Sequence, residues 1–286
     1  MLGASLLGTA LEGFEVWATY LKPTLQTSPE SDRLLQLDIR DEDAVHAVMK
    51  TVQPDVVIHT ASIGNVDYCE THKEESWQVN VEGTRFILDA CEQSSCRLIY
   101  TSTNAVFDGE HAPYAEDAQP NPIHFYGKTK LESERLITAR SVEATIIRPI
   151  LMYGWNNPNQ RSNFVTWLLN KLPENQPIRL FHEVYCNPLP FSQCNEAIWT
   201  CLQKNHTGCF HIAGGNRVSM YEFGCEVAHV FGFSTDQLSP AGLDELPGLV
   251  KRPKDTTYCT DKMETVIGIK PLSLREGLNS MKKEIE

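Results

Sequence analysis

Apolar and polar positions follow two rhythms along the first half of the chain. Short apolar runs occur at 14–20 (FEVWATY), 55–61 (DVVIHTA), 97–103 (RLIYTST) and 144–150 (ATIIRPI). Runs of this length, rich in β-branched and aromatic residues, predict strands, and the 55–61 run suits a strand covered on both faces. Stretches with apolar residues at helical spacing lie between them, at 41–52, about 74–91 and 126–139. Strands alternating with helices in this way predict a parallel sheet with helices on both faces. The expected fold is therefore α/β, a Rossmann-type doubly wound parallel sheet.

The texture changes near residue 155, where proline and asparagine cluster at 156–159 and again at 187–190. Helices are predicted at 162–172, 194–203 and 219–231, a short strand at 209–214, and a last helix in LREGLNSMKKEI. We expect one unit over 1–154 and a smaller α/β unit over 155–286, with about 183–200 returning to the first sheet. Open sheets of this kind bind ligands at the carboxyl ends of their strands, which the smaller unit could close over.

Composition narrows the classes. The chain has 286 residues, 41% hydrophobic and 22% charged, as expected of a globular protein with a sizeable core. No apolar run approaches the roughly 18 residues of a membrane span, and no leader-like segment opens the chain. The net charge of −12 argues against nucleic-acid or anionic-membrane partners. Nine scattered cysteines without a C-x-x-C pair suggest neither a zinc site nor a disulfide framework, so reduced thiols in the cytoplasm are expected.

Two stretches carry candidate chemistry. Tyr126 and Lys130 stand four apart on a predicted helix and so share a face. A free tyrosine is a poor acid at neutral pH, and a nearby ammonium favours its phenolate and eases proton exchange. By itself the pair also fits two residues on a solvated helix face. Context adds Thr103, at the end of a predicted strand, where a hydroxyl can meet a substrate oxygen beside Tyr126. The ordinary role of such a hydroxyl is a turn or helix cap. The second stretch is G-A-S-L-L-G at 3–8, which is spaced like a glycine turn between a first strand and a first helix. Such a strand takes about five residues, and only Met1 and Leu2 precede Gly3. The expected first strand is thus truncated. If nothing replaces it, the sheet should have a gap at its centre, with weak cofactor affinity and low stability.

Taken together, GASLLG, LDIRD (37–41), DVVIHTAS (55–62), VNVEGT (79–84), STNAVFDG (102–109), YGKTKLESE (126–134), IIRP (146–149) and HIAG (211–214) resemble the extended short-chain dehydrogenase/reductase family. Within it, the chain is most similar to the dTDP-4-dehydrorhamnose reductases. The resemblance implies a dinucleotide-binding unit at 1–154 and a substrate-binding unit beyond it. It implies reduction of a 4-keto nucleotide sugar by NADPH or NADH, with no metal and with a homodimer as one expectation. Thr103 would hydrogen-bond the carbonyl, Tyr126 would donate the proton, and Lys130 would hold the nicotinamide ribose and lower the Tyr126 pKa. Gly3, Ser5, Leu6, Gly8, Asp38, Ile39, Ala61, Ser62 and Asn80 would complete the cofactor site. Asp38 has a second reading, as the N-cap of the helix that follows. Tyr20 stands where an acid would hold the ribose of NAD, and nearby Lys22 could meet a 2′-phosphate, which leans the reading toward NADPH. Val66, Asn104, Phe107, Asn163, Phe164 and Arg252 would contact substrate.

Three departures stand out. The glycine turn lacks one glycine, Asn104 and Ala105 replace an Asp-Tyr pair, and Leu151 replaces a stacking tryptophan for which Trp155 could substitute. They leave open a reading from another class: a non-catalytic regulatory protein, like the methionine adenosyltransferase beta subunit, which resembles the same reductases. The intact Thr103, Tyr126 and Lys130 favour the enzyme.

Overall fold

The computed structural model describes residues 2–22, 33–156, 161–245 and 250–285. Its strands, in chain order, are β1 Ala18–Tyr20, β2 Leu34–Gln36, β3 Val56–His59, β4 Arg97–Thr101, β5 Ala144–Pro149, β6 Met152–Tyr153, β7 Ile178–Phe181, β8 Tyr185–Cys186, β9 Leu189–Pro190, β10 Gly208–Ile212, β11 Val218–Ser219 and β12 Leu238–Ala241. Its α-helices are α1 Leu2–Gly8, α2 Glu42–Val52, α3 Val66–Thr71, α4 Lys73–Trp77, α5 Gly83–Ser94, α6 Phe125–Thr138, α7 Phe164–Lys171, α8 Phe191–Gln203, α9 Met220–Phe231 and α10 Leu274–Lys283.

The main sheet is parallel, in the order β10-β5-β4-β3. Its middle strands are apolar because both faces are covered: Leu98, Ile99 and Ile147 are fully buried. On one face, Ile87, Leu88 and Cys91 of α5 pack with Leu98 and Ile146, and Val45 of α2 joins them. On the other, Ile198, Cys201 and Leu202 of α8 pack with Ile147 and Phe210. α6 is capped by His124, whose side chain accepts from the Gly127 N–H, and it packs beside β5. A second core joins α7, α9 and α10 to β7 and β12 through Leu168, Leu180, Phe223, Val227 and Leu278.

The structure departs from the sequence expectations in four places. First, residues 3–8 form a helix, α1, and not a glycine turn. Ala, Ser and Leu tolerate helix well, and Leu2 and Leu6, four apart, bury one face. Ser5 accepts a hydrogen bond from Asn195 Nδ2 of α8 at 2.8 Å. Second, the strand expected over 14–20 is confined to 18–20 and pairs only with β2. No strand among the described residues links this pair to β3, so the two form separate sheets. Third, β10 pairs with β5 in the main sheet, so the chain returns there over a longer stretch than 183–200. Fourth, the helix expected at 74–91 contains a π turn at Gln78–Glu82, which carries Asn80. The nine cysteines are free thiols. No described helix is long and apolar enough to cross a membrane.

Candidate active site

β4 ends at Thr101, and the chain then turns into a short 3-10 helix, Asn104–Val106. Thr103 caps that turn: its Oγ1 accepts from the Ala105 N–H at 3.2 Å. The same hydroxyl also lies within hydrogen-bonding reach of the Tyr126 phenol, so capping the turn does not take it away from Tyr126. Tyr126 opens α6, and Lys130 lies one turn further on the same helix. The sequence spacing brought this pair together, and the end of β4 supplied the third group.

Lys130 is only 2% exposed, and its ammonium sits 4.1 Å from the centroid of the Tyr100 ring. Burial pulls its pKa down to about 7, against the opposing pull of the Glu134 carboxylate. Burial pushes the Tyr126 phenol up to about 12. The influence that favours its phenolate is the Thr103 hydroxyl; Lys130 is not among the groups that move it, contrary to the sequence expectation. Tyr126 is therefore protonated at neutral pH and poised as a donor. Behind Lys130, His59 is held neutral by burial and by the Lys130 charge, its pKa drawn down to about 3. Its Nε2 lies 3.0 Å from Thr84 Oγ1.

Among the described residues no hydrogen-bond acceptor meets the Lys130 ammonium. A buried triple donor one helical turn from Tyr126 fits a diol, such as the ribose of a nicotinamide nucleotide. The opposite end fits less well. Gly3 and Gly8 lie in α1 and form no pyrophosphate turn, Leu6 is buried in the core, and Ser5 is bonded to Asn195. Gly3 packs against Thr60, where a Cβ would come within 2.8 Å of Oγ1.

Several other predicted contacts have structural work of their own. Asn80 Nδ2 donates to the Ile63 carbonyl and to Thr129 Oγ1, both at 3.1 Å, and its Oδ1 accepts from the Ile63 N–H at 2.8 Å. That ties the loop after β3 to α6. Asp38 is gripped by Arg40 at 2.6 Å; the N-cap of α2 is Asp41, which accepts from Ala44. Ile39 lies in the core, and Gly83 packs against it. Ala61, Ser62 and Lys22 are exposed. Asp38, Arg40 and Asp41 line an open cleft of about 840 Å³ with the 71–75 segment and Gln78.

On the substrate side, Phe107 is buried at 1% exposure, stacked on Tyr114, so it cannot meet a substrate. Asn163 caps α7, accepting from Val165 and Thr166 while its Nδ2 donates to the Gly154 carbonyl. Phe164 packs on Phe223. Trp155 points away, its indole N–H donating to the Met281 carbonyl at 2.6 Å, and so does not take the place of a tryptophan at Leu151. Val66 opens α3 and is half-buried. Asn104 Nδ2 donates to Thr256 Oγ1 at 2.8 Å, and Arg252 is paired with Asp67 at 2.6 Å.

Sequence reasoning missed a charged cluster directly behind the site. Glu134, one turn beyond Lys130, takes the Arg148 guanidinium of β5 at 2.9 and 2.6 Å. Ser102, beside Thr103, donates to the same carboxylate. Arg148 Nη1 lies 3.2 Å from His211 Nε2 of β10. The available signal was an arginine inside the apolar run 144–150, since a charge there needs a buried partner.

A strand end offering a hydroxyl beside a Tyr–Lys helix on a parallel sheet decides the comparison with known proteins. The family model for the RmlD substrate-binding domain matches residues 1–286. The chain belongs to that family. A crystal structure of dTDP-4-dehydrorhamnose reductase from Bacillus anthracis, in complex with NADP, superposes with a TM-score of 0.84 at 23% identity, covering 94% of this chain and 98% of that one. A hypothetical dTDP-4-dehydrorhamnose reductase from Sulfolobus tokodaii gives 0.83 at 27% identity, covering 96% and 95%. In sequence, the chain is 30% identical over 236 residues to methionine adenosyltransferase 2 subunit beta of Danio rerio, covering 80% of this chain and 72% of that one. This RmlD-family chain therefore stands between a reductase fold and relatives bearing the name of a subunit.

Proposed function

We propose that the protein is an NADPH- or NADH-dependent reductase of a 4-keto nucleotide sugar. The carrying observation is the convergence of Thr103, Tyr126 and Lys130 at the end of β4 and the start of α6. The nicotinamide would supply the hydride to the keto carbon. Tyr126 gives its phenolic proton to the resulting alkoxide oxygen, and Thr103 hydrogen-bonds that oxygen and then the phenolate. Lys130 holds the ribose hydroxyls with its unpaired ammonium protons. The NADP of the Bacillus anthracis complex supports NADPH, while other structural neighbours hold NAD, as the Thermus thermophilus UDP-glucose 4-epimerase does. The unit over 1–154 would bind the cofactor and most of the rest the sugar nucleotide, in a cytoplasmic protein that forms homodimers.

The test follows NADPH absorbance with dTDP-4-dehydrorhamnose and a small panel of keto nucleotide sugars. Turnover by the wild type that Tyr126→Phe retains in full would sink the mechanism. A second reading, a regulatory subunit, draws support from the Danio rerio relative and from the helical 3–8 segment. Co-purification with a methionine adenosyltransferase, with no NADPH oxidation on any panel member, would favour it.

A further inference from the structure

Glu134 lies on α6 four residues beyond Lys130 and eight beyond Tyr126, and so on the helix face that carries both. It is 4% exposed, an unusual place for a carboxylate. Two groups from other elements converge on it, the Arg148 fork from β5 and the Ser102 hydroxyl after β4, and its charge also acts on Lys130 one helical turn back. Ser102 is the neighbour of Thr103, so one carboxylate joins the segment bearing the carbonyl-binding hydroxyl to the helix bearing the proton donor.

We propose that Glu134 is the positioning residue of this site: it locks the Thr103 segment against α6 and, as a buried anion one helical turn from Lys130, keeps that lysine in its ammonium form. The proposal rests on the reductase reading only for its kinetic arm. Arg148 donates to both Glu134 oxygens, and its guanidinium also reaches His211 and lies over the Phe107 ring. The groups that act on Lys130 or pack against it are Glu134 of α6, Tyr100 of β4 and His59 of β3. Tyr100 is held protonated by burial and His59 neutral, which leaves Glu134 as the anion of the set.

The sign follows directly. Removing the Glu134 charge withdraws the one influence that raises the Lys130 pKa, so the ammonium should lose its proton at lower pH. The readout is the ¹³Cε resonance of Lys130 in protein labelled with ¹³C-lysine, assigned by its loss in Lys130→Met and followed against pH without cofactor. The wild-type midpoint should fall near 7, and Glu134→Gln should bind that proton about tenfold more weakly. Glu134→Asp should restore the midpoint but not kcat, because its shorter arm does not span to Ser102. In the kinetic arm, Glu134→Gln should move the alkaline limb of kcat toward lower pH.

If Glu134→Gln fails to fold because Arg148 is left unpaired, Glu134→Gln combined with Arg148→Met removes both charges and gives the same reading. An unmoved Lys130 midpoint in either variant overturns the proposal, even if activity falls. A moved midpoint in a protein that reduces no keto sugar would overturn the reductase reading and leave the role of Glu134 standing.

Discussion

The two sides of the cleft are built to different standards. On the side of β4, β5 and α6, strands are five or six residues long, buried, and joined by charged groups with paired partners. On the side of β1 and β2, strands are three residues long, half-exposed, and hydrogen-bonded only to each other. β3 faces the gap between them, and its Val56, Val57 and Ile58 are only partly buried although their sequence is that of a covered strand. The side that carries Thr103, Tyr126 and Lys130 is thus built on long buried strands, and the side of β1 and β2 on short half-exposed ones. Among the described residues β3 has one edge unpaired and β1 pairs only with β2, and a strand without a neighbour on one edge covers less of its apolar surface.

The largest expected effect is kinetic and belongs to the ordered side. Tyr126→Phe should lower kcat by about 10²–10⁴-fold while leaving the unfolding curve nearly unchanged. A variant that loses stability along with activity would mean that the ring matters for packing and not for its proton. Next comes Glu134→Ala, which leaves Arg148 buried without its anion. Urea unfolding should show a loss of about 3–5 kcal/mol, and a loss under about 1 kcal/mol would mean that water reaches the cluster.

Core truncations compare the two sides directly. Ile147→Ala in β5, at a fully buried position, should lose about 2–5 kcal/mol, and Leu35→Ala in half-exposed β2 under about 1 kcal/mol. Equal losses would refute the contrast. In parallel, calorimetric titration with NADPH should give weak binding; sub-micromolar affinity would show that the phosphate end is sound after all.

The pH dependence has a definite sign. His59 and His211 are both held down to about 3 by burial, whereas each protonates near 6.5 once the chain unfolds. Between those values the unfolded chain binds more protons, so stability should fall as pH drops from about 6.5 toward 3, each histidine adding a slope of about 1.4 kcal/mol per pH unit. His59→Gln should flatten that slope when unfolding is measured across the window. The smallest effect is at the surface: Arg40→Ala, which breaks the exposed pair with Asp38, should change stability by less than about 1 kcal/mol.

Much of this molecule could be read along the chain because its signals are local. Helical spacing marked α2, α6, α8 and α9, apolar runs marked β3, β4 and β5, and an i, i+4 interval put Tyr126 beside Lys130. Those features depend on backbone periodicity, which a sequence states directly. Only tertiary structure decided the rest. Residues 3–8 form a helix that buries Leu2 and Leu6 against α8, although their glycines spell a turn. Asn80, Phe107 and Asn163 were drawn into braces and cores by neighbours far along the chain. Ser102, Glu134 and Arg148 meet because three elements bring them together, and a buried charge is settled by whichever partner lies within reach in space.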